Sequence, residues 1–149
     1  MTAPEAPRGY CFEDLRVGMQ ASFTKTLTDA DIQRFAEVSG DVNPAHLDDA
    51  FARTTRLGGR VAHGMLTASL VSAVLGCRLP GPGCLFVSQA TNFRAPVKPG
   101  ATVTARVVLA RLDPGRQFAE FETECTVGDT RVLDGSALTW VPSKQEQTS

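Results

Sequence analysis

The stretch MLTASLVSAVL, residues 65–75, decides the fold. Apolar or small side chains occupy nearly every position, so a helix formed here has no polar face to turn toward water. A helix of that composition is normally enclosed by other elements of the protein. It is too short to span a bilayer, which takes about 20 apolar residues. The stretch Met65–Leu75 therefore predicts one central helix around which the rest of the chain packs.

The segments that follow this helix have the pattern of β-strands. A turn-forming run at residues 80–83 ends the helix, and apolar residues then recur with a period of two. Short turns at residues 99–100, 114–115 and 128–129 separate the segments, which predicts neighbouring antiparallel strands in a meander. Phe86, Phe93 and Phe118 alternate within the strands, and we expect them in the core. The predicted strands are Leu85–Ala95, Thr102–Leu112, Phe118–Val127 and Val132–Val141.

The residues before the central helix predict one more strand and shorter helices. Gln20–Leu27 alternates loosely and is a candidate strand. Thr28 and Asp31 have the spacing of a capping box at the start of a helix, and Gly40 is a natural stop. Leu47–Arg53 is a candidate short helix. Helices grouped before a run of strands predict an α+β fold, here an antiparallel sheet of about five strands wrapped around a long central helix.

Length and charge limit the classes of function. The 149 residues fit one domain, predicted at residues 10–142, with disordered ends at 1–9 and 143–149. A net charge of −1 gives no reason to expect nucleic acid or an anionic membrane as a partner. The N-terminus lacks the apolar segment of a signal peptide, so we expect a cytoplasmic protein with reduced thiols. With two histidines and no C-x-x-C pair, no metal site is expected.

The first candidate for chemistry is the run from Asp41 to His46, DVNPAH. It places a carboxylate, an amide (Asn43) and an imidazole in a loop that Pro44 stiffens. Proton transfer at carbon and activation of water both need an acid and a base held close together. Ordinary turn chemistry explains the same residues, because Asp41 can form an Asx-turn with Asn43 and His46 can be a polar surface residue. The spacing alone leaves both interpretations open.

The second candidate is the start of the central helix, AHGM at residues 62–65. The first N–H groups of a helix have no partner within it, and Gly64 would let a ligand approach them closely. A thioester carbonyl placed there would find an oxyanion site. The alternatives are that Gly64 only permits close packing and that His63 is a hydrogen-bonded histidine near the core. Elsewhere, Arg94 and Lys98 are candidate phosphate contacts, although an exposed sheet face explains them equally well.

Together these stretches resemble the MaoC-like (R)-specific enoyl-CoA hydratases of the hotdog superfamily. The matching text is FAEVSGDVNPAHLDDAFA (35–52), GGRVAHGMLTASLVSAVLG (58–76) and LPGPGCLFVSQATNFRAPVKPG (79–100), and the similarity runs from about Tyr10 to Pro142. The D-x-N-P-x-H loop followed by H-G-M is specific as a pair, whereas either motif alone would be weak. The resemblance implies the hotdog fold, in which the central helix is the sausage and the sheet is the bun.

The resemblance also implies a reaction. Asp41 and His46 would activate one water for attack on C3 of a trans-2-enoyl-CoA, giving (3R)-hydroxyacyl-CoA, a polyhydroxyalkanoate precursor drawn from fatty-acid oxidation. The N–H of Gly64 would hold the thioester oxygen, with Asn43 and His63 in support. The family works without metal or redox cofactor, CoA being part of the substrate. By the same resemblance, the protein is expected to be a homodimer or higher oligomer, and the acyl pocket is assigned to two residues of the central helix, Ser72 and Leu75.

Three other activities stay open at this point. A (3R)-hydroxyacyl dehydratase running the reverse reaction, on CoA or on acyl carrier protein, would use the same residues. A thioesterase on the same fold would attack C1 and release free CoA. A non-catalytic acyl-CoA sensor would have no need of both Asp41 and His46.

Overall fold

The computed structural model describes residues 8–146. A short 3-10 helix (Phe12–Asp14) precedes nine further elements. In chain order these are β1 (Gln20–Thr26), α1 (Asp29–Ser39), α2 (Pro44–Leu47), α3 (Asp49–Arg53), α4 (Gly64–Cys77), β2 (Leu85–Phe93), β3 (Thr102–Asp113), β4 (Phe118–Val127) and β5 (Thr130–Trp140).

The strands form one antiparallel sheet in the order β1-β3-β4-β5-β2. The predicted meander is correct for β3, β4 and β5 and wrong for β2, which lies next to β5 instead of β3. The link from β2 to β3 is a crossover and not a tight turn. It passes the start of α4, where the N–H of Ala62 donates to the carbonyl of Val97 at 2.7 Å. Period-two alternation predicts where strands are and does not encode which strands pair.

The first helix is specified locally, as predicted. Thr28 Oγ1 accepts from the N–H of Asp31 at 3.1 Å, and the Asp31 carboxylate accepts from the N–H of Thr28 at 3.0 Å. Gly40 ends α1 in a left-handed conformation with φ 79°. The predicted helix Leu47–Arg53 is instead two short helices, because Asp48 is extended and its side chain caps α3.

The core lies between α4 and the concave face of the sheet. One side of α4 is buried there, and large side chains from the three central strands pack against it, including Phe121, Leu109 and Leu133. The opposite side of α4 is exposed in this chain along Met65, Ser69 and Ser72. The prediction of a helix enclosed on all sides is therefore met on one side only.

The edge strand β2 is exposed along most of its length, and it does not supply the core residues that its pattern predicted. Phe86 is 42% exposed and Phe93 is 54% exposed, whereas Phe118 is partly buried. A strand pairs on both of its edges only when it lies inside a sheet, and β2 has β5 on one edge alone. Exposed apolar side chains on an unpaired edge are typical of a surface that another chain covers.

The described ends are tied to the domain more closely than predicted. Residues 1–7 and 147–149 lie outside the described part of the chain. Within the segments predicted to be disordered, the N–H of Gly9 donates to the carbonyl of Pro82 at 2.9 Å. Lys144 contacts Asp14 at 3.0 Å, so the ordered domain extends beyond residues 10–142 at both ends. Between residues 8 and 146, no helix combines the length and hydropathy needed to cross a bilayer.

Candidate active site

The loop after α1 holds Asp41 in a defined orientation. The N–H of Asn43 donates to Asp41 Oδ1 at 3.2 Å, and Asn43 Oδ1 in turn accepts from the N–H of Ala45 at 3.0 Å. Pro44 can begin α2 because the first residue of a helix needs no N–H donor. The Asx-turn that ordinary turn chemistry predicts is therefore present. It uses one carboxylate oxygen and leaves Oδ2 available.

His46 presents one ring nitrogen to Asp41 and anchors the other on the backbone. Its Nδ1 lies 2.7 Å from the carbonyl oxygen of Val61, and a carbonyl can only accept, so Nδ1 carries the proton. In the neutral imidazole Nε2 is then the basic nitrogen, and it faces Asp41 Oδ2 at 4.0 Å. The His46 side chain is 13% exposed and that of Asp41 is 50% exposed. A water molecule in contact with both groups would enter from solvent on the side of Asp41, which is the more exposed of the two side chains.

Gly64 begins α4 beside this pair. Within residues 8–146, its N–H has no hydrogen-bond acceptor, as expected for the first turn of a helix. The ring of Phe93 lies so close that a Cβ on Gly64 would be 2.9 Å from Phe93 Cε1. Only a glycine fits here without moving that ring. The structure thus places the unpaired Gly64 N–H at the N-terminus of α4, where the helix dipole favours negative charge.

His46 and Gly64 line the same cleft, which has a volume of about 360 Å³. Phe93 and Arg94 form part of its wall, and the rest is mostly apolar. The remaining lining residues are Leu57, Val61, Ala62, Thr67, Ala95, Pro96, Val97 and Val132. A base, a free backbone donor and an apolar wall in one cleft suit a ligand with one polar group to be polarised and an apolar part to be enclosed.

His63, the residue before Gly64, is buried to 1% exposure. Its Nε2 lies 3.0 Å from the carbonyl oxygen of Asp41, so Nε2 carries the proton and donates. Its ring packs against His46, with centroids 3.9 Å apart and planes tilted by 32°, and against Phe35 at 4.8 Å. This agrees with the interpretation of His63 as a hydrogen-bonded histidine near the core, and it adds contact with both Asp41 and His46.

Ligand-type atoms of Asp41, His46 and His63 all lie within 4.8 Å of one another. The Nδ1 of His46 and the Nε2 of His63 donate to carbonyls, so in the neutral rings His46 Nε2 and His63 Nδ1 keep their lone pairs. Histidines that bind a metal and histidines that transfer protons are both commonly oriented by such a hydrogen bond from the other ring nitrogen. The expectation that the site works without a metal stays a prediction.

Arg60 is a residue of the site that the sequence did not single out. Its guanidinium lies 2.7 Å from Asp29 and 2.7 Å from Asp49, and it reaches the carbonyl of His46 at 3.4 Å. The side chain is 15% exposed although both carboxylates are mostly in solvent. The hydrogen bond with Arg60 lowers the pKa of Asp29 below its usual value. Arg60 thereby ties the starts of α1 and α3 to the loop that carries His46. No local pattern predicts a contact across 31 residues.

The two residues assigned to the acyl pocket, Ser72 and Leu75, lie in different environments in the structure. Ser72 lines a second, mainly apolar groove of about 340 Å³ between α4 and β2, together with Phe35, Met65, Ala68, Ser69, Phe86 and Gln89. Leu75 is 1% exposed, belongs to the core and does not line that groove.

The candidate CoA contacts also differ from each other. Arg94 borders the first cleft, and its guanidinium is paired with Asp134 at 2.9 and 3.1 Å. That pairing raises the pKa of Arg94 and lowers the pKa of Asp134. Lys98 is exposed and does not line the cleft.

Comparison with known proteins identifies the family of this chain. The family model for the MaoC like domain matches residues 15–130. The chain is 51% identical over 135 residues to a 3-hydroxybutyryl-CoA dehydratase of Methylorubrum extorquens, covering 91% of this chain and 86% of the relative. It is 48% identical over 133 residues to an (R)-specific enoyl-CoA hydratase of Rhodospirillum rubrum, covering 89% of this chain and 92% of the relative.

The fold has close structural relatives as well. The solved structure of the (R)-hydratase from Aeromonas caviae involved in PHA biosynthesis superposes with a TM-score of 0.84 at 38% identity, covering 87% of this chain and 99% of that one. A five-stranded antiparallel sheet around one helix is the hotdog arrangement that the sequence resemblance implied. The family model, the close relatives and the shared fold agree, and the chain belongs to the MaoC-like domain family.

Proposed function

We propose that this hydro-lyase adds water across the double bond of a trans-2-enoyl-CoA to give the (3R)-hydroxyacyl-CoA. One observation carries the proposal. The basic Nε2 of His46 faces Asp41 Oδ2 at 4.0 Å, and Gly64, whose N–H is unpaired within residues 8–146, lines the same cleft as His46. Hydration of an enoyl thioester needs these three functions together, namely a base for water, an acid for carbon and a donor for the thioester oxygen.

The orientations of the Asp41 and His46 side chains suggest how the pair would activate water. A water between Asp41 Oδ2 and His46 Nε2 can hydrogen-bond to both, since each such bond spans about 2.8 Å. As its oxygen bonds to C3 of the enoyl group, the water gives up one proton to the pair. The pair returns a proton to C2, so the product gains one O–H group and one hydrogen. Asn43 keeps Asp41 in place through Oδ1 and takes no part in the proton transfer.

Gly64 acts on the other end of the reacting system. Attack at C3 pushes charge onto the thioester oxygen, and the enolate that forms is stabilised by a donor already pointing at it. The helix dipole of α4 adds to that effect at its N-terminus. The acyl chain has a mainly apolar groove available beside Ser72. Arg94 at the cleft is the better placed of the two candidates for the CoA phosphates, provided that it exchanges Asp134 for them.

Dehydration of a (3R)-hydroxyacyl thioester is the second candidate, and the name of the Methylorubrum extorquens relative favours it. The same residues catalyse both directions, because forward and reverse reactions share one transition state. Comparing the rates with CoA thioesters and with acyl-carrier-protein thioesters would show on which carrier the enzyme accepts its substrate. The name of the Aeromonas caviae structure favours a role in supplying polyhydroxyalkanoate precursors, which product analysis in cells would test.

The proposal includes a homodimer as the active form. The side of α4 that bears Met65 and Ser69 is exposed, and the neighbouring strand β2 has an unpaired edge with Phe86 and Phe93 exposed. A second copy joined at β2 would cover these apolar surfaces and complete the enclosure of α4. Light scattering on active protein should give at least twice 15.9 kDa, and a monomeric mass would contradict the dimer.

The proposal requires no metal or redox cofactor, and its ligand is the CoA thioester itself, with no nucleic acid or membrane involved. Dialysis against a chelator should leave the rate unchanged. All four cysteines are free thiols, which supports a cytoplasmic location.

The decisive experiment is hydration of crotonyl-CoA with chiral analysis of the product. Formation of (3R)-hydroxybutyryl-CoA supports the proposal. Release of free CoA would instead indicate a thioesterase, and tight binding without turnover would indicate a sensor.

Asp41→Asn and His46→Gln should each lower kcat by about 10²–10⁴ while the melting temperature stays close to that of the parent. Because both residues act on one water, the double variant should be little worse than either single one. Normal turnover in either variant would refute the assignment of the pair.

A further inference from the structure

His63 is positioned to control the acid–base pair without touching the substrate. It is the last residue before α4, yet its side chain makes no capping hydrogen bond to that helix. It points instead to the catalytic loop, where Nε2 donates to the carbonyl of Asp41 at 3.0 Å. The peptide that carries Asp41 is thereby fixed to the start of the helix that carries Gly64.

The same ring also contacts the second member of the pair. The centroid of His63 lies 3.9 Å from that of His46, with the planes tilted by 32°. Phe35 packs against His63 at 4.8 Å. His46 is thus held by Val61 through Nδ1 and by the ring of His63 through van der Waals contact. Since His63 binds Asp41 and packs on His46, it sets the separation between their reactive atoms.

A purely structural role does not account for a histidine at this position. His63 is 1% exposed, and its Nδ1 is buried without a hydrogen-bond partner in the described part of the chain. A buried, unsatisfied polar atom destabilises a folded protein, and a phenylalanine ring would fill similar space without that cost. What the histidine supplies and a phenylalanine does not is the Nε2–H donor to the carbonyl of Asp41.

We propose that His63 is the positioning residue of the acid–base pair, acting as the Nε2–H tautomer that holds the Asp41 peptide and the face of His46. The proposal rests on the proposed function, because it assigns the pair that His63 positions. Small displacements of an acid–base pair lower the rate strongly, since about 1 Å of misplacement can cost about 10²-fold. The effect is expected in kcat more than in KM, because His63 does not reach the substrate.

Variants of graded chemistry separate positioning from packing. His63→Phe keeps a ring and removes the donor, and we expect kcat to fall about 10- to 100-fold with KM within about 2-fold and no loss of melting temperature. His63→Gln places an amide N–H near the position of Nε2 and should recover part of that loss. His63→Asn, whose amide is too short to reach Asp41, should not recover it. Near-parental kcat in His63→Phe, or a Gln variant as slow as the Asn variant, overturns the proposal.

Thr123→Val is the matched control. Thr123 Oγ1 is the other buried side-chain atom without a partner in residues 8–146, and it lies on β4 away from the pair. Removing the Thr123 hydroxyl should leave kcat unchanged and give a melting temperature equal to or higher than that of the parent protein.

Nitrogen NMR of the ring atoms tests the tautomer without any activity measurement, so failure here is distinct from failure of the proposed function. The chain has two histidines, and His46→Gln assigns their signals. His63 should show a protonated Nε2 and a bare Nδ1, and His46 the opposite. A protonated Nδ1 on His63 in the neutral ring would overturn the proposal even in a fully active enzyme, whereas the expected tautomers would support it even if crotonyl-CoA is not hydrated.

Discussion

Replacing Gly64 with alanine tests the proposed oxyanion donor, and the structure predicts the sizes of two consequences, a loss of stability and a loss of activity. The added Cβ would lie 2.9 Å from Phe93 Cε1 and 3.2 Å from Cδ1 and Cζ. Carbon atoms pack best at about 3.5–4.0 Å, so the ring must retreat by about 0.6 Å. Phe93 lies on the edge strand β2, which the proposed dimer would cover, so the loss of stability should be the one usual for overpacking, about 1–3 kcal/mol.

The loss of activity should be larger than the loss of stability. The new methyl group lies next to the Gly64 N–H, so a hydrogen bond from that N–H to the thioester oxygen of the substrate should be lost or lengthened. Loss of one oxyanion donor typically costs about 10²–10³ in kcat, or about 2.7–4 kcal/mol of transition-state stabilisation. Steady-state hydration of crotonyl-CoA and thermal denaturation on the same preparation measure both quantities.

Two controls make the result decisive. Gly76→Ala adds the same methyl to the same helix with nothing within 4 Å, so it should keep full kcat and gain up to about 1 kcal/mol of stability. Adding Phe93→Leu to Gly64→Ala relieves the contact with the ring, and kcat should stay low relative to Phe93→Leu alone. A well-folded Gly64→Ala protein with the parental kcat would show that the thioester oxygen is not bound at this N–H.

Three further variants test the packing and the charges around the site. Leu75→Ala should lower the unfolding free energy by about 2–5 kcal/mol in calorimetry, because Leu75 lies in the core. The ratio of kcat/KM for eight- and four-carbon substrates should stay unchanged, and a changed ratio would place Leu75 in the acyl pocket, as the resemblance implied. Ser72→Leu should reduce that ratio by narrowing the groove. Arg60→Gln should lower the melting temperature near pH 7. Because Arg60 lowers the pKa of Asp29, the difference from the parent should shrink as pH falls below about 4, and a difference independent of pH would contradict the ion pair.

Local signals were sufficient for most of the fold. The Thr28 capping box, the stop at Gly40 and the bounds of β4 depend on neighbouring residues, and the structure has them as predicted. The position of β2 depends on a crossover past α4, and alternation within the strand contains no information about it. The same alternation predicted Phe86 and Phe93 as core residues. They are exposed here because a period of two indicates an apolar face and does not identify what covers that face.

The site, like the fold, has features that the sequence predicted and features that it did not. The sequence indicated that Asp41, His46 and Gly64 are candidates, because their residue types in those loops suit acid–base and oxyanion chemistry. It did not predict that Phe93 lies over Gly64 or that Arg60 reaches the loop of His46, since both contacts join distant segments. A sequence pattern also does not distinguish the two nitrogens of an imidazole. That distinction is made by whichever backbone group each nitrogen meets.

Backbone groups, more than side chains, determine the roles at this site. The carbonyl of Val61 can only accept, so it requires the proton of His46 on Nδ1 and leaves Nε2 as the nitrogen with the free lone pair, the proposed base. The carbonyl of Asp41 requires the opposite tautomer of His63, although the two rings are stacked and chemically identical. The donor of Gly64 is a peptide N–H, which among the side-chain substitutions only proline would remove. A designed transfer of Asp41 and His46 to another scaffold would therefore fail unless the two carbonyls and the start of α4 were transferred with them.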